Sequence, residues 1–181
     1  MTTSRMTATF LVAQVFALAI VLLPPAPAQC VTPTDGMVLT ADTLFCPGWY
    51  HLPQGFSIAA SNVTVRGNNT EIYGDDTGNG LTVDSRGHVT VLNLTLRHYY
   101  NGLHFRTCDY VRVETCTVSD TYNDCKTQPC EFLDIFDDPE PPGNSYGHAL
   151  WLRYCNHAVI RGNQVGYQQN GIGLFDCADA L

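Results

Sequence analysis

The side chains with the clearest chemical potential recur at fixed spacing in the second half of the chain. Asp84 and Arg106 are 22 residues apart, and His104 and Trp151, like Arg106 and Arg153, are 47 apart. Indole and imidazole rings suit the apolar face of a sugar, and a guanidinium group pairs with a carboxylate through two hydrogen bonds. We therefore predict a binding site for a uronate-containing carbohydrate at Asp84, His104, Arg106, Trp151 and Arg153.

Catalysis by the same residues has less support. Hydrolysis of a glycoside needs two opposed carboxyl groups, and this set offers only Asp84, with Asp176 near a turn. A lyase or epimerase needs a base and a cation that neutralises the uronate carboxylate, which His104 with Arg106 or Arg153 could supply. The catalytic residues therefore stay unassigned, and the enzyme class stays open between lyase, epimerase and hydrolase.

Three cysteines form a second periodic set. Cys108, Cys155 and Cys177 fall at the same place in successive copies of a repeat, 47 and 22 residues apart. Such a column fits either a site for a soft metal or a stack of small residues at a turn, with one bridge between neighbours. We favour the stack, because zinc would need a fourth clustered ligand, and we predict no metal site. Cys116 falls at a core position and should be a buried, small apolar residue.

The other cysteines indicate disulfides. The chain has eight cysteines and no Cys-X-X-Cys pair, which in an exported protein favours bridges over a metal cage. Cys125 and Cys130 bracket four residues of a polar loop, so we predict a local bridge between them. Cys30 and Cys46 lie together near the N-terminal end of the folded part and form a second candidate pair.

Copies of one repeat must position all these side chains. They begin at Gly80, Gly102 and Ala149, and a fourth begins at Gly171. Each contains three short stretches of alternating apolar and polar residues, which is typical of strands with one buried face. Three strands per repeat form one rung of a parallel β-helix, whose rungs stack over a continuous core. A leucine-rich repeat has a similar period but returns through a helix or loop, whereas here two more strands form the return.

The predicted organisation follows from this repeat. Residues 55–181 form an all-β parallel β-helix of about three to five rungs, and residues 29–54 form an N-terminal capping segment. An insert at 124–146 separates the second and third copies. The expected core side chains are Leu103, Phe105, Val111, Val113, Leu150, Leu152 and Ile160.

The insert is rich in carboxylates. It carries six acidic residues against the single Lys126. Because calcium prefers hard oxygen ligands, a calcium site is possible there, although the spacing matches no EF-hand and several prolines favour an extended loop. Loops that leave a rigid array often build its binding face, so we expect the insert to lie beside the predicted carbohydrate site.

Composition and the N-terminus predict the compartment. The chain has 181 residues and a formal net charge of -8, which argues against a nucleic-acid partner because phosphate binding needs a basic face. Arg5, the apolar run 10–23 and the Ala-Pro-Ala that ends at Ala28 are typical of a signal peptide over residues 1–28. No second apolar segment is long enough to span a membrane. We therefore predict a secreted, extracellular or periplasmic protein.

The run from Thr40 to Phe105 resembles the right-handed parallel β-helix repeat family, and the resemblance extends over about residues 37–181. It is similar to NosD-like proteins and to carbohydrate-active β-helices of the pectate-lyase type. The resemblance implies a right-handed β-helix formed by one chain. Copper handling would require a cluster of Met, His or Cys, and of three methionines two lie in the signal segment, so we predict no cofactor other than calcium.

The functional prediction is a secreted parallel β-helix protein that binds or processes a polysaccharide, in the manner of a lyase or epimerase acting on uronates. The alternative is a non-catalytic binding or structural module, because one β-helix scaffold supports many unrelated activities. A cluster of acidic groups beside His104 would favour the enzyme, and a flat outward face would favour the binding module.

Overall fold

The computed structural model describes residues 29–121, 147–167 and 170–181. Within them all regular structure is β-strand. The strands are β1 (Met37–Leu39), β2 (Thr43–Leu44), β3 (Gly48–His51), β4 (Phe56–Ile58), β5 (Thr64–Tyr73), β6 (Asn79–Asp84), β7 (Thr90–Arg97), β8 (Asn101–Arg106), β9 (Arg112–Glu114), β10 (Thr117–Ser119), β11 (His148–Arg153), β12 (Val159–Arg161), β13 (Gln164–Gly166) and β14 (Asn170–Phe175).

The strands pair in parallel and stack turn upon turn. One sheet has the order β1-β4-β6-β8-β11-β14. The second sheet covers two faces, because β7 pairs through its first half with β9 and through its second half with β10. Each turn thus contributes three strand segments, and the chain forms a β-solenoid of about five turns. The predicted all-β parallel β-helix is confirmed.

The core is a set of inward columns in which equivalent residues of successive turns lie on one another. Leu81, Leu103 and Leu150 are in register and fully buried. Six of the seven predicted core residues are buried, whereas Ile160 is half-buried. The reason for this difference is that β12 is the outermost strand of its sheet in the described residues, and the next turn reaches it there only through Leu181, whose carbonyl accepts from the Ile160 N–H.

The segment predicted as a separate N-terminal cap pairs like the turns that follow it. β1 pairs with β4, and both β2 and β3 pair with β5. Its strands are only two to four residues long, which hides the period-two pattern from sequence analysis. A disulfide joins Cys30 to Cys46, beside the parallel bridge of Val31 and Phe45.

Residues with a left-handed backbone conformation form the corners between strands. Such a conformation costs about 1–2 kcal/mol for a residue with a Cβ. At the first corner it is offset by bonds between turns: the N–H groups of Ser85, Thr107 and Tyr154 each donate to the next turn at 2.9 Å. In three successive turns the positive-φ corner residues are Ser85, His88, Asn93 and His98; Thr107, Tyr110, Thr115 and Asp120; and Tyr154, His157, Gly162 and Tyr167.

Several sequence predictions fall outside the described residues: the signal peptide at 1–28, the acidic insert at 124–146 with its calcium site, and the Cys125–Cys130 bridge. They remain predictions. In the part of the chain that is described, no helix is both long and apolar enough to cross a bilayer.

Candidate functional site

The first sheet brings the predicted carbohydrate-binding residues onto one outward face. Strands β6, β8, β11 and β14 are in register, as the repeat alignment predicted. One outward column consists of Thr82, His104, Trp151 and Gly173. The neighbouring column consists of Asp84, Arg106, Arg153 and Phe175.

Aromatic rings stack along the first of these columns. The ring centroids of His104 and Trp151 are 4.8 Å apart, and those of His148 and Trp151 are 5.4 Å apart, both at an interplanar angle of 20°. His148 reaches towards the next turn, where Gly173 leaves room: a Cβ there would lie 2.8 Å from His148 Cδ2. Trp151 is therefore held between two imidazoles, and Phe175 meets the stack edge-on.

Charge on this face is largely balanced within it. The Arg106 guanidinium donates to Asp84 Oδ2 at 2.7 Å, and hydrogen bonds from Arg106 and Ser85 lower the pKa of the Asp84 carboxyl. Burial, followed by the positive charge of Arg106, lowers the pKa of His104. At neutral pH, Asp84 is therefore ionised and His104 is neutral, with Nδ1 placed 3.2 Å from Asn79 Nδ2.

This geometry limits what the face can do. Both faces of the Trp151 ring are covered, so a sugar would meet the ring at its edge rather than on its face. Asp84 and Asp176 are three turns apart, about 14 Å along the solenoid axis at 4.8 Å per turn. The paired carboxyl groups of glycosidases are about 5–9.5 Å apart, so these two aspartates do not form such a pair.

The cysteine ladder, Cys108, Cys155 and Cys177, lies under the first corner of successive turns. All three thiols are unbonded, and Cys108 and Cys155 are buried while Cys177 is half-buried. Cys108 and Cys155 lie at equivalent places in adjacent turns, because the next residues, Asp109 and Asn156, form a parallel bridge, and the Cys155 N–H donates to Cys177 Sγ at 3.4 Å. The column predicted from the repeat is therefore a line of neighbouring sulfur atoms.

Interaction between two of these thiols makes the first of them acidic. The neighbouring Cys155 thiol lowers the pKa of Cys108 to about 7, against the opposing effect of burial. The neighbouring Cys108 thiol and burial raise the pKa of Cys155. The two thiols therefore titrate as one unit that loses its first proton near neutral pH and keeps the second.

A family comparison adds a finding that the geometry alone does not supply. Residues 46–180 match a family model described as "Periplasmic copper-binding protein (NosD)". The protein belongs to the NosD family. Comparison of this NosD chain with curated proteins and with solved structures gives no match. The family description supports a location in the periplasm or outside the cell.

The donor set of this NosD chain can be compared with the needs of a metal ion. In the described ranges no three His, Cys, Asp or Glu side chains are grouped so that they could hold one. His104 and His148 are separated by the Trp151 ring, so they do not form a chelating pair. The unbonded thiols of Cys108 and Cys155 are neighbours in one column of adjacent turns, and a soft ion that accepts few ligands, Cu(I), fits such a pair.

Sequence analysis missed two features of this NosD protein. His148 enters the aromatic stack only because the next turn carries a glycine, Gly173. The sequence pattern of one strand does not reveal a contact that depends on another turn. A second stack, formed by His88, Tyr110 and His157 at a left-handed corner, has centroid distances of 4.7 and 4.5 Å. The spacing of 22 and 47 residues that aligned the cysteines also aligns these three rings, so the repeat carried a signal for them.

Proposed function

We propose that the protein binds Cu(I) outside the cytoplasm through the thiolates of Cys108 and Cys155. The observation that carries this proposal is the position of two unbonded, buried thiols at equivalent places in adjacent turns, where the pKa of Cys108 is lowered by Cys155. Thiolates are the protein ligands that favour Cu(I) over harder ions, and the matching family is described as copper-binding. This proposal departs from our sequence prediction of no metal site.

Other soft donors are less suitable. Met37 belongs to the first turn and packs against the core there, and Cys116 has a pKa raised to about 11 by burial. Cys177 lies on the far side of Cys155 from Cys108, so it is positioned to exchange with the first pair as a third sulfur. The thiolates of Cys108 and Cys155 would hold copper as cargo. The proposal involves no change in the oxidation state of the ion.

Anaerobic titration of the reduced protein with Cu(I) in the presence of a chromophoric Cu(I) chelator tests this function. We expect one tightly held Cu(I) per chain in the native protein and none in the Cys108→Ser, Cys155→Ser double variant. Mass mapping of the air-exposed protein shows whether the same two thiols form a disulfide instead. A Cys108–Cys155 disulfide that persists in mild reductant, with no Cu(I) uptake, would contradict the proposal.

The affinity for Cu(I) should depend on pH in two regimes. Below pH 7 both thiols are protonated, so binding displaces two protons and the affinity should fall about 100-fold for each unit of decreasing pH. Above pH 7 Cys108 is already a thiolate, and the dependence should weaken to about 10-fold per unit. Competition titrations between pH 5.5 and 8.5 measure this slope, and an affinity that does not vary with pH would exclude thiolate ligands.

A second candidate function is the carbohydrate binding predicted from sequence, along Asp84, His104, Arg106, Trp151 and Arg153. One observation favours it: Trp151 Nε1 has no hydrogen-bond partner among the described residues, so a ligand hydroxyl that reached the ring edge would satisfy this otherwise unpaired donor. Arg153, which donates to the Tyr154 hydroxyl at 3.0 Å, borders the same face. Because both faces of the Trp151 ring are covered, a bound sugar would contact the edge of the ring, where Nε1 lies.

Calorimetry with oligogalacturonates at low salt checks the second candidate. Trp151→Ala should weaken binding by roughly 1–3 kcal/mol, the size of one lost anchor contact. The Arg106→Ala, Arg153→Ala double variant should lose any preference for acidic over neutral oligosaccharides. Binding by both variants at the native level would place the ligand elsewhere and leave the outward face as scaffold.

A further inference from the structure

A groove on the second sheet belongs to neither proposed site. It lies where β7, β10 and β13 stack, and it has a volume of about 280 Å³. This is just below the roughly 300–1,000 Å³ range of small-molecule sites. The groove is lined by Arg97, Thr117, Ser119, Gln164, Val165, Gly166 and Tyr167.

The groove exists because side chains shorten along one outward column. Arg97, Ser119 and Gly166 occupy equivalent positions in successive turns. A Cβ at Gly166 would have no atom within 4 Å, and its φ lies outside the left-handed region. The fold therefore does not require glycine at this position, and the missing side chain opens the groove to a ligand.

The polarity and charge of the lining residues indicate which class of ligand the groove can bind. The Tyr167 ring is 85% exposed at the rim, and the Gln164 amide and the Thr117 hydroxyl line the wall. The Arg97 guanidinium is balanced by two carboxylates, with Nε 3.3 Å from Glu71 Oε1 and Nη1 3.7 Å from Asp120 Oδ2. An anionic ligand would have to compete with both carboxylates, so the groove favours a neutral one.

We propose that this groove binds a sugar unit of a neutral oligosaccharide, with the apolar face of the sugar on Tyr167 and its hydroxyls on Gln164 and Thr117. Aromatic rings, amides and hydroxyls in an open groove suit a ligand that is polar at its rim and apolar on its face. The inference is independent of the copper proposal, because the groove and the cysteine ladder share no residue.

The test uses the full chain and hexamers of four neutral sugars: cello-, xylo-, manno- and chito-oligosaccharides. We expect calorimetry to detect binding of at least one. Gly166→Leu should then reduce the affinity at least 10-fold by filling the groove, and Tyr167→Ala should reduce it about 10-fold by removing the stacking surface. Gly87→Leu is the matched control, because a Cβ at Gly87 meets only Asp109 O, at 3.5 Å.

Further measurements distinguish this groove from the proposed copper site and from the outward face around Trp151. Unchanged thermal unfolding of Gly166→Leu would show that its effect is local. The inference is overturned if no hexamer binds the native protein, or if Gly166→Leu and Tyr167→Ala both bind as the native protein does. It is also overturned if galacturonate hexamers bind in this groove more tightly than every neutral hexamer. Loss of Cu(I) binding in cysteine variants bears on the copper proposal alone.

Discussion

Replacement of Cys108 with serine is expected to lower the affinity for Cu(I) at least about 100-fold, because loss of a residue that only supports a metal ligand already costs up to about 100-fold. A hydroxyl of nearly the same size fits the buried position, but it is a hard donor that stays protonated at neutral pH. A competition titration at pH 7.5 measures the change.

Cys116→Ser is the matched control for this experiment. Cys116 is also unbonded and buried, but it lies between β9 and β10, and burial raises its pKa, so its loss should leave Cu(I) affinity unchanged. Cys177→Ser should have an intermediate effect, because Cys177 neighbours Cys155 and not Cys108. Equal losses in the Cys108 and Cys116 variants would point to general destabilisation rather than to a copper site.

Phe105→Ala is expected to reduce the free energy of unfolding by about 3–5 kcal/mol, the usual cost of removing a buried aromatic ring. Phe105 is fully buried, and its neighbours in register, Val83 and Leu152, are fully buried as well. The strands above and below are held by parallel pairing, so they cannot collapse into the cavity.

Urea denaturation monitored by circular dichroism measures this cost. Ser57→Ala is a suitable control, because Ser57 lies outward in β4 between the buried Phe56 and Ile58, and its change should stay within about 0.5 kcal/mol. A loss below about 1 kcal/mol for Phe105→Ala would mean that the inward columns are not the source of stability.

The repeat made the fold predictable from sequence. In a parallel stack a slip of one residue would move a whole apolar column to the outside, so the alternation around Leu103 and Phe105 determines both the inward face and the register. The outward columns of His104 and Arg106 follow from the same alignment, and the pairing of β8 with β11 confirms them.

Side-chain detail was less accessible to sequence analysis. Whether Cys108 and Cys155 form a bridge, a ligand pair or a packed stack depends on sulfur positions that spacing does not encode. The His148 contact with Trp151 depends on the absence of a side chain at Gly173, one turn away. The left-handed corner at Tyr110 was also unexpected, because bulky residues are rarely found at positive φ.

X-ray absorption at the copper edge of the Cu(I)-loaded, reduced protein tests the central proposal most directly, because it identifies the atoms bound to the metal. We predict that the first coordination shell of the copper ion consists only of sulfur atoms, with a low coordination number. This sulfur shell should disappear in the Cys108→Ser, Cys155→Ser double variant. A first shell of nitrogen or oxygen atoms, unchanged in that variant, would contradict it.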